Sequence, residues 1–404
     1  MELRFWLVDA DTLLMPRGFI RRATWILRDA GIEYQLDNQT RKLPQVNFRF
    51  TGRLKNFQAD AVSAVLRLDF GILLTPTDSD KTDMDLTVIA VIARRRQPTL
   101  ILVHNKALLK QWVDQIGVSL ALPADQVGVI GDGKMFLGEK ITVALVQTLY
   151  KCAHEVVPHI GFLVCDECHR APSQMFTEAV TTFDAKYMLG ISPTPWRSDG
   201  LTRLIYWHLG DKVHEVEREG LIEDGHIMEA EVIIRKTEFE PLSDPSEEYS
   251  RMLSELTENS DRNALISGDV AKEAGNGCLC LVLTDRKAHC EVLADMLADF
   301  GVQAAVLTGD LNNSERVRVM DELNSGQVKV LVATGQLIDE KFDCTGLSTL
   351  FLATPIRFSG RVLKYLGKVL RPAPGKDKAR VYDYVDTQVG ALVNAARARA
   401  RVYG

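Results

Sequence analysis

Two short stretches of this chain carry residue types that could do phosphate chemistry. Asp166-Glu167-Cys168-His169 follows the apolar run IGFLV, so a strand would deliver an acidic pair to its carboxyl end. One carboxylate can hold a magnesium ion there, and its neighbour can orient or deprotonate a water for attack on a γ-phosphate. Upstream, GILLT runs into TPTDSDKT (75–82) and then DMDLTVIAVIA, which can form a helix. Strand, loop, Lys-Thr and helix is the context in which backbone N–H groups cradle phosphate. An acidic pair after a strand is common, so the weight rests on what surrounds it. The box also places Cys165 and Cys168 at C-x-x-C spacing, but no second C-x-x-C or histidine pair stands at a distance suited to zinc.

The elements around these stretches alternate. TLILVHN (99–105), KITVALVQ (140–147), IGFLVCDE (160–167) and KYMLGIS (186–192) read as strands buried on both faces, and KALLKQWVDQIG has helical spacing. That alternation predicts a parallel α/β sheet. Residues 217–262 are charged, and EPLSDPSEE within them reads as a connection. A second series follows: CLCLVLT, HCEVLADMLADFG, QAAVLTG, RVRVMDELNSG, VKVLVAT and LSTLFLAT read strand, helix, strand, helix, strand, strand, with VNAARARARVYG as a terminal helix. At the start, LRFWLV and IEYQL read as strands flanking a helix, RGFIRRATWILRDAG, that ends at Gly31. The expected organisation is an accessory α+β unit at 1–52, an α/β domain at 53–216, a connection at 217–262 and a second α/β domain at 263–404.

A chain of 404 residues is long enough for two cores. Its net charge of −6 gives no global attraction to nucleic acid, so binding would need local basic patches. Arg94, Arg95 and Arg96 form one cluster, and Arg397, Arg399 and Arg401 another. Such runs are as a rule solvated faces. Arg4, Arg17, Arg21 and Arg22 lie amid Phe5, Trp6 and Trp25, which suits either a grip on DNA or packing against the first domain. Seven irregularly spaced cysteines argue for a reducing compartment. The longest apolar run, LTVIAVIA, is too short to span a bilayer, and MELRFWLVDADTLL breaks its apolar run with two aspartates. A cytoplasmic protein without a membrane partner is the expectation.

Read in order, these stretches resemble the superfamily 2 helicases and translocases, whose members carry two RecA-like domains. LKNFQADAV (54–62) resembles the family's opening segment, with Gln58 placed to read adenine. TLILVHNKALLKQW and VALVQTL resemble two motifs that touch the nucleic-acid backbone, which points to His104, Lys106 and Gln147. GISPTPWRSDG (190–200) resembles the Ser/Thr-Ala-Thr-Pro-x-Arg motif, with Pro193 at the usual alanine, and brings in Ser192, Thr194 and Arg197. His169 would then couple the nucleotide and nucleic-acid sites. VLTGDLNNSER resembles a nucleic-acid contact motif and includes Thr308. LVATGQLIDEKFD (331–343) and YLGKVLRP (365–372) resemble the last two signature motifs, with Asp343, Lys368 and Arg371. The resemblance covers about Leu54 to Asp386 and runs to a branch of DNA-repair helicases that includes XPB-type enzymes, phage branched-DNA helicases and restriction-enzyme motor subunits.

The resemblance implies an α/β fold of two tandem RecA-like parallel-sheet domains with a small N-terminal α+β unit. It implies ATP and Mg2+ as cofactors and nucleic acid as partner, DNA in preference to RNA. Thr77, Ser79, Lys81 and Thr82 would hold phosphate, Thr82 and Asp166 the metal, and Glu167 the attacking water. Asp343 would bind nucleotide, while Arg371 and Lys368 would meet transition-state charge. The chain departs from the pattern at Asp78 and Asp80, where the family has glycine. Glycine there lets backbone N–H groups approach the phosphates. A carboxylate about 4 Å from one phosphate charge would cost roughly 1–4 kcal/mol, depending on screening. Asp339, Lys341, Lys364 and Lys368 depart too, and lysine lacks the two-pronged donor of arginine. A motor with impaired nucleotide binding, or a nucleotide-dead scaffold of the same fold, both fit these departures.

Overall fold

The computed structural model describes residues 7–9, 12–75, 81–170, 174–193, 202–338, 342, 344, 346–356 and 359–403. It divides into two compact units, one ending at Gly220 and the other beginning at Leu221.

The first unit opens with a hairpin, β1 (Leu7–Asp9) against β2 (Thr12–Leu14), followed by helix α1 (Ile20–Asp29). Then come α2 (Asn56–Leu66), β3 (Phe70–Leu74), α3 (Lys81–Arg95), β4 (Thr99–Val103) and α4 (Lys106–Ser119). An edge hairpin of β5 (Gly128–Gly131) and β6 (Lys134–Phe136) precedes β7 (Ile141–Leu145) and α5 (Val146–Val156). The unit closes with β8 (Phe162–Cys165), α6 (Gln174–Thr181), β9 (Tyr187–Ser192), α7 (Thr202–Leu209) and β10 (Lys212–Glu215). Its eight-stranded sheet has the order β10-β3-β9-β8-β4-β7-β5-β6, and only the β5–β6 pair is antiparallel. Strands β4, β7 and β8 are buried at every position, as continuous apolar runs covered by helices on both faces must be.

The N-terminal unit differs from its expected β-α-β form. Residues 32–36 read as a strand in sequence, yet they are mostly exposed and form no ladder. The partner of β1 is instead β2, a few residues along the chain, where loop closure is cheap. Residues around Arg17 pack on α7: Phe19 meets Trp207 edge-on at 6.2 Å, and Arg17 donates to Ala185 O. A Cβ at Gly18 would stand 2.0 Å from Tyr206 O, so only glycine allows this approach. Arg17 is therefore a packing residue. So is Arg95, whose guanidinium stacks 4.2 Å from the Tyr187 ring and donates to Val65 O and Leu68 O.

The second unit begins within α8 (Arg218–Glu223) and continues through β11 (Ala230–Thr237), α9 (Tyr249–Glu258) and α10 (Ser260–Gly275). The alternating series follows: β12 (Leu279–Thr284), α11 (Lys287–Asp299), β13 (Ala304–Leu307), α12 (Asn313–Asn324), β14 (Val330–Thr334) and β15 (Leu347–Leu352). It ends with α13 (Ser359–Val369), β16 (Ala379–Asp386) and α14 (Gly390–Tyr403). All pairs in its sheet, order β11-β16-β15-β12-β14-β13, are parallel. Residues 217–262, expected as a connection, thus supply a full edge strand and two helices. Strand β11 escapes the apolar pattern because one of its edges and much of its surface meet solvent.

Strand β16 locks this unit through its polar residues. Successive side chains alternate faces. On the α10 face, Asp386 pairs with Arg262 at 2.7 Å, Tyr384 donates to Asp269, and Tyr382 and Arg380 donate to Glu273. On the opposite face Asp383 accepts from Arg399 at 2.6 Å and from the Tyr403 hydroxyl. Arg399 is 1% exposed, so the C-terminal arginine run is not a solvated face at its centre. His289 is clasped between Thr284 Oγ1 at 2.8 Å and Asn263 Oδ1 at 2.9 Å.

Removing one partner of the Arg262–Asp386 pair strands a buried charge. Arg262→Met should destabilise the second unit by roughly 3–5 kcal/mol in denaturant unfolding, and adding Asp386→Leu should recover most of that loss. Burial, helped by the nearby Arg262 charge, pushes His289 down to about 3 from its ordinary 6.5. The unfolded chain then binds a proton that the native one refuses between those values. Stability contributed by the neutral ring is full above pH 6.5 and lost as pH falls toward 3, by at most about 1.4 kcal/mol per pH unit. His289→Gln should flatten that part of the acid limb in a stability–pH profile.

Candidate functional site

Because the strands of the first sheet are parallel, the segments leaving β3, β4, β7, β8 and β9 emerge on one edge. Asp166 follows β8 directly. Its backbone N–H donates to Leu102 O at 3.0 Å, continuing the β4 ladder, and its Oδ2 accepts from the Trp112 indole at 2.9 Å. Glu167 takes a left-handed backbone, φ +51°, which costs a residue with a Cβ roughly 1–2 kcal/mol. That turn folds the Glu167 side chain inward, where it is 8% exposed. Strain of this kind gathers where chemistry is done.

His169 lies in the short 3-10 turn that follows. Its Nδ1 stands 3.0 Å from Ser192 Oγ and 3.2 Å from Glu167 Oε2. A single ring nitrogen serves one partner well, and the geometry gives the hydrogen bond to Ser192 with Glu167 in electrostatic contact. Ser192 ends β9, and its carbonyl accepts from Thr75 N at 3.1 Å, just past β3. The structure thus brings Glu167, His169 and Ser192 into one chain of contacts.

The next strand ends hold a second group. Asn105 caps α4, accepting from Leu108 N at 2.8 Å, and its side-chain nitrogen lies 3.1 Å from His104 Nε2. Gln147 donates to His104 O at 3.1 Å. Lys106 bridges to Asp132 at 2.6 Å, a contact that holds the Asp132 carboxyl below the usual carboxylate range. His104, Lys106 and Gln147 are therefore neighbours. Gln58 is fully buried, and its Oε1 accepts from Lys55 N at 2.7 Å, closing the N-terminus of α2.

In the second unit, Thr308 is buried just past β13. Lys368 donates to Phe342 O at 2.7 Å, which anchors α13 to the segment before Asp343. Arg371 follows that helix, and Lys376 donates both to its carbonyl, at 2.7 Å, and to Val369 O. Burial pushes Lys376 down to about 8. Thr77, Ser79, Asp78, Asp80, Thr194, Trp196, Arg197, Asp339, Lys341 and Asp343 lie outside the described residues, as do the side chains of Lys81, Thr82 and Lys364.

A magnesium ion bound with a nucleotide takes oxygen ligands, commonly one or two carboxylates plus phosphates and water. Asp166 at a strand end suits that donor chemistry. Among the described residues no cluster of three or more His, Cys, Asp or Glu side chains offers a site for a metal held by protein alone. Burial pushes the Cys165 and Cys168 thiols up, away from the thiolate that zinc requires.

Sequence reasoning missed Trp112, Gln111 and Lys376. The helical spacing of Leu108, Leu109, Trp112 and Ile116 does put the tryptophan on the buried face of α4, and a buried indole N–H needs an acceptor. Nothing in the sequence says which acceptor.

Residues 51–197 match the family described as "Type III restriction enzyme, res subunit", and residues 255–355 match "Helicase conserved C-terminal domain". The chain is 24% identical over 345 residues to the DNA 3'-5' helicase XPB of Kineococcus radiotolerans, covering 82% of this chain and 59% of that relative. It is 32% identical over 168 residues to the DNA 3'-5' translocase XPB2 of Sulfurisphaera tokodaii, covering 42% and 37%. The chain belongs to the superfamily 2 helicases. It spans about half the length of the curated relatives it matches. The helicase domain of Pyrococcus furiosus Hef shares the fold, with a TM-score of 0.58 at 12% identity, covering 83% of this chain and 96% of that one. The two parallel-sheet units thus have the RecA-like fold. No helix among the described residues is long and apolar enough to cross a membrane.

Adjacent residues of the helicase box should respond oppositely to truncation. Asp166→Ala leaves the buried Trp112 N–H without its acceptor and should cost about 1–3 kcal/mol in unfolding of the first unit. Glu167→Gly relieves the left-handed backbone and should leave the midpoint unchanged or higher.

Proposed function

We propose that this helicase-family chain is an ATP-dependent nucleic-acid motor acting on duplex or branched DNA, with nucleotide binding impaired by Asp78 and Asp80. The observation that carries the reading is the Glu167–His169–Ser192 contact, which joins the water-orienting carboxylate to the segment where backbone contacts to nucleic acid begin. In this reading Lys81, Thr82, Thr77 and Ser79 hold the phosphates, and Thr82 and Asp166 hold Mg2+. Bound magnesium neutralises charge that builds on the phosphate oxygens. Glu167 orients the attacking water, and Arg371, Lys368 and Asp343 of the second unit act on the nucleotide. His104, Lys106, Gln147, Thr194, Arg197 and Thr308 grip the backbone, so salt dependence is strong and sequence preference weak. The names of the XPB relatives support DNA as the polymer.

A second reading has its own observation. Aspartates at both glycine positions of the phosphate loop suit a helicase-fold protein that binds nucleic acid and no longer turns over ATP.

DNA-stimulated ATP hydrolysis by the chain as it stands and by Asp78→Gly/Asp80→Gly separates the two. The motor reading expects weak hydrolysis that rises by two decades or more with the glycines, a gain in line with removing a few kcal/mol of repulsion and backbone strain. Silence in both forms would leave the binding protein.

A further inference from the structure

We infer that Trp112 is a positioning residue for Asp166, and that α4 uses it to tie the metal-side carboxylate to the helix that faces nucleic acid. The inference rests on the nucleotide-site reading above. Trp112 is fully buried, and its only polar atom is bonded to Asp166 Oδ2 at 2.9 Å. A hydrogen bond to an ionised carboxylate is short and directional, so it fixes the plane in which the other oxygen is presented. Partners that hold a ligand rather than the metal set affinity in this way.

The neighbouring residue reaches the other half of the same site. Gln111 donates to Asp85 Oδ2 at 2.6 Å, and Asp85 is buried one turn into α3, the helix that begins at Lys81. Consecutive helical residues point about 100° apart, so one helix can grip two elements at once. At its N-terminus α4 carries Asn105 as cap, with His104 and Lys106 on either side. A shift of that turn against a bound backbone would therefore move the donors of both Asp85 and Asp166. Nothing comparable is available to a tryptophan that merely fills space.

The test uses the whole chain with 15N-labelled indoles. Five tryptophans give five signals at most, and Trp112→Phe identifies the one that matters. Asp166→Ala should move that signal and speed its exchange with water at least tenfold. An unmoved signal overturns the proposal. In the Asp78→Gly/Asp80→Gly form, Trp112→Phe should raise the Mg2+ concentration for half-maximal ATP binding roughly tenfold, while affinity at saturating Mg2+ stays within twofold. Ile116→Val perturbs the packing of the same helix but leaves both donors in place, and its Mg2+ midpoint should not move. A purely structural Trp112 would lower melting temperature without shifting that midpoint, which would overturn the role. If the glycine form binds no ATP at all, the nucleotide reading fails and takes the metal role of Asp166 with it.

Discussion

Parallel pairing is the constraint from which the rest follows. Each strand of a parallel sheet must return over a helix before the next can start, so every strand leaves at the same edge. In the first unit that edge collects Thr75, His104, Gln147, Asp166 and Ser192 from five strands separated by more than a hundred residues of chain. These strand ends are assembled by topology before any side chain is chosen. What side chains add is fixation: Ser192 O on Thr75 N, Leu102 O on Asp166 N, and the Trp112 indole on Asp166.

The second unit meets the same constraint with different means. Its strand β16 carries four acids, bases and tyrosines toward α10 and an aspartate toward α14, each paired with a side chain of the covering helix. Buried charge is costly unless it is paired and geometrically well held. Two arginines fixed on opposite faces of one strand leave each covering helix a single register, because a slip of one residue would turn every partner to the wrong side. An apolar strand would permit more than one seating. Here the specificity of the fold is written in polar residues, and the acid sensitivity of His289 comes with it.

The strands that build both cores were legible because burial on two faces forces runs such as TLILV and FLVC, whatever lies beyond them. Helices were legible from their apolar spacing. What failed was what depends on neighbours distant in sequence. Residues 32–36 have strand composition but no ladder partner, while Ala230–Thr237 looks like surface chain and becomes a strand because β16 offers it eight residues of pairing. Arg95 and Arg399 look like patches of charge and are core residues, since the Tyr187 ring and Asp383 lie far away in sequence. For the site, residue types and order were readable through the resemblance to superfamily 2 helicases. The structure adds that Glu167, His169 and Ser192 are in contact. Trp112 was not readable, because a hydrogen bond between position 112 and position 166 has no local signature.

The described contacts that hold the helicase box come from β4, α4 and β9. Asp166 is held from β4 and α4, and His169 from β9. These are ladder, indole and hydroxyl contacts made by a buried sheet and its covering helix, so a change that loosened the cores would reach the box through them. Close packing transmits such a change, because a shifted strand shifts the residue that follows it. In the proposed motor, Asp78 and Asp80 would act on the nucleotide directly, through charge and backbone freedom, terms that two glycines reverse. A motor disabled at that loop and a vestigial one are then different molecules, even though one sequence resembles both.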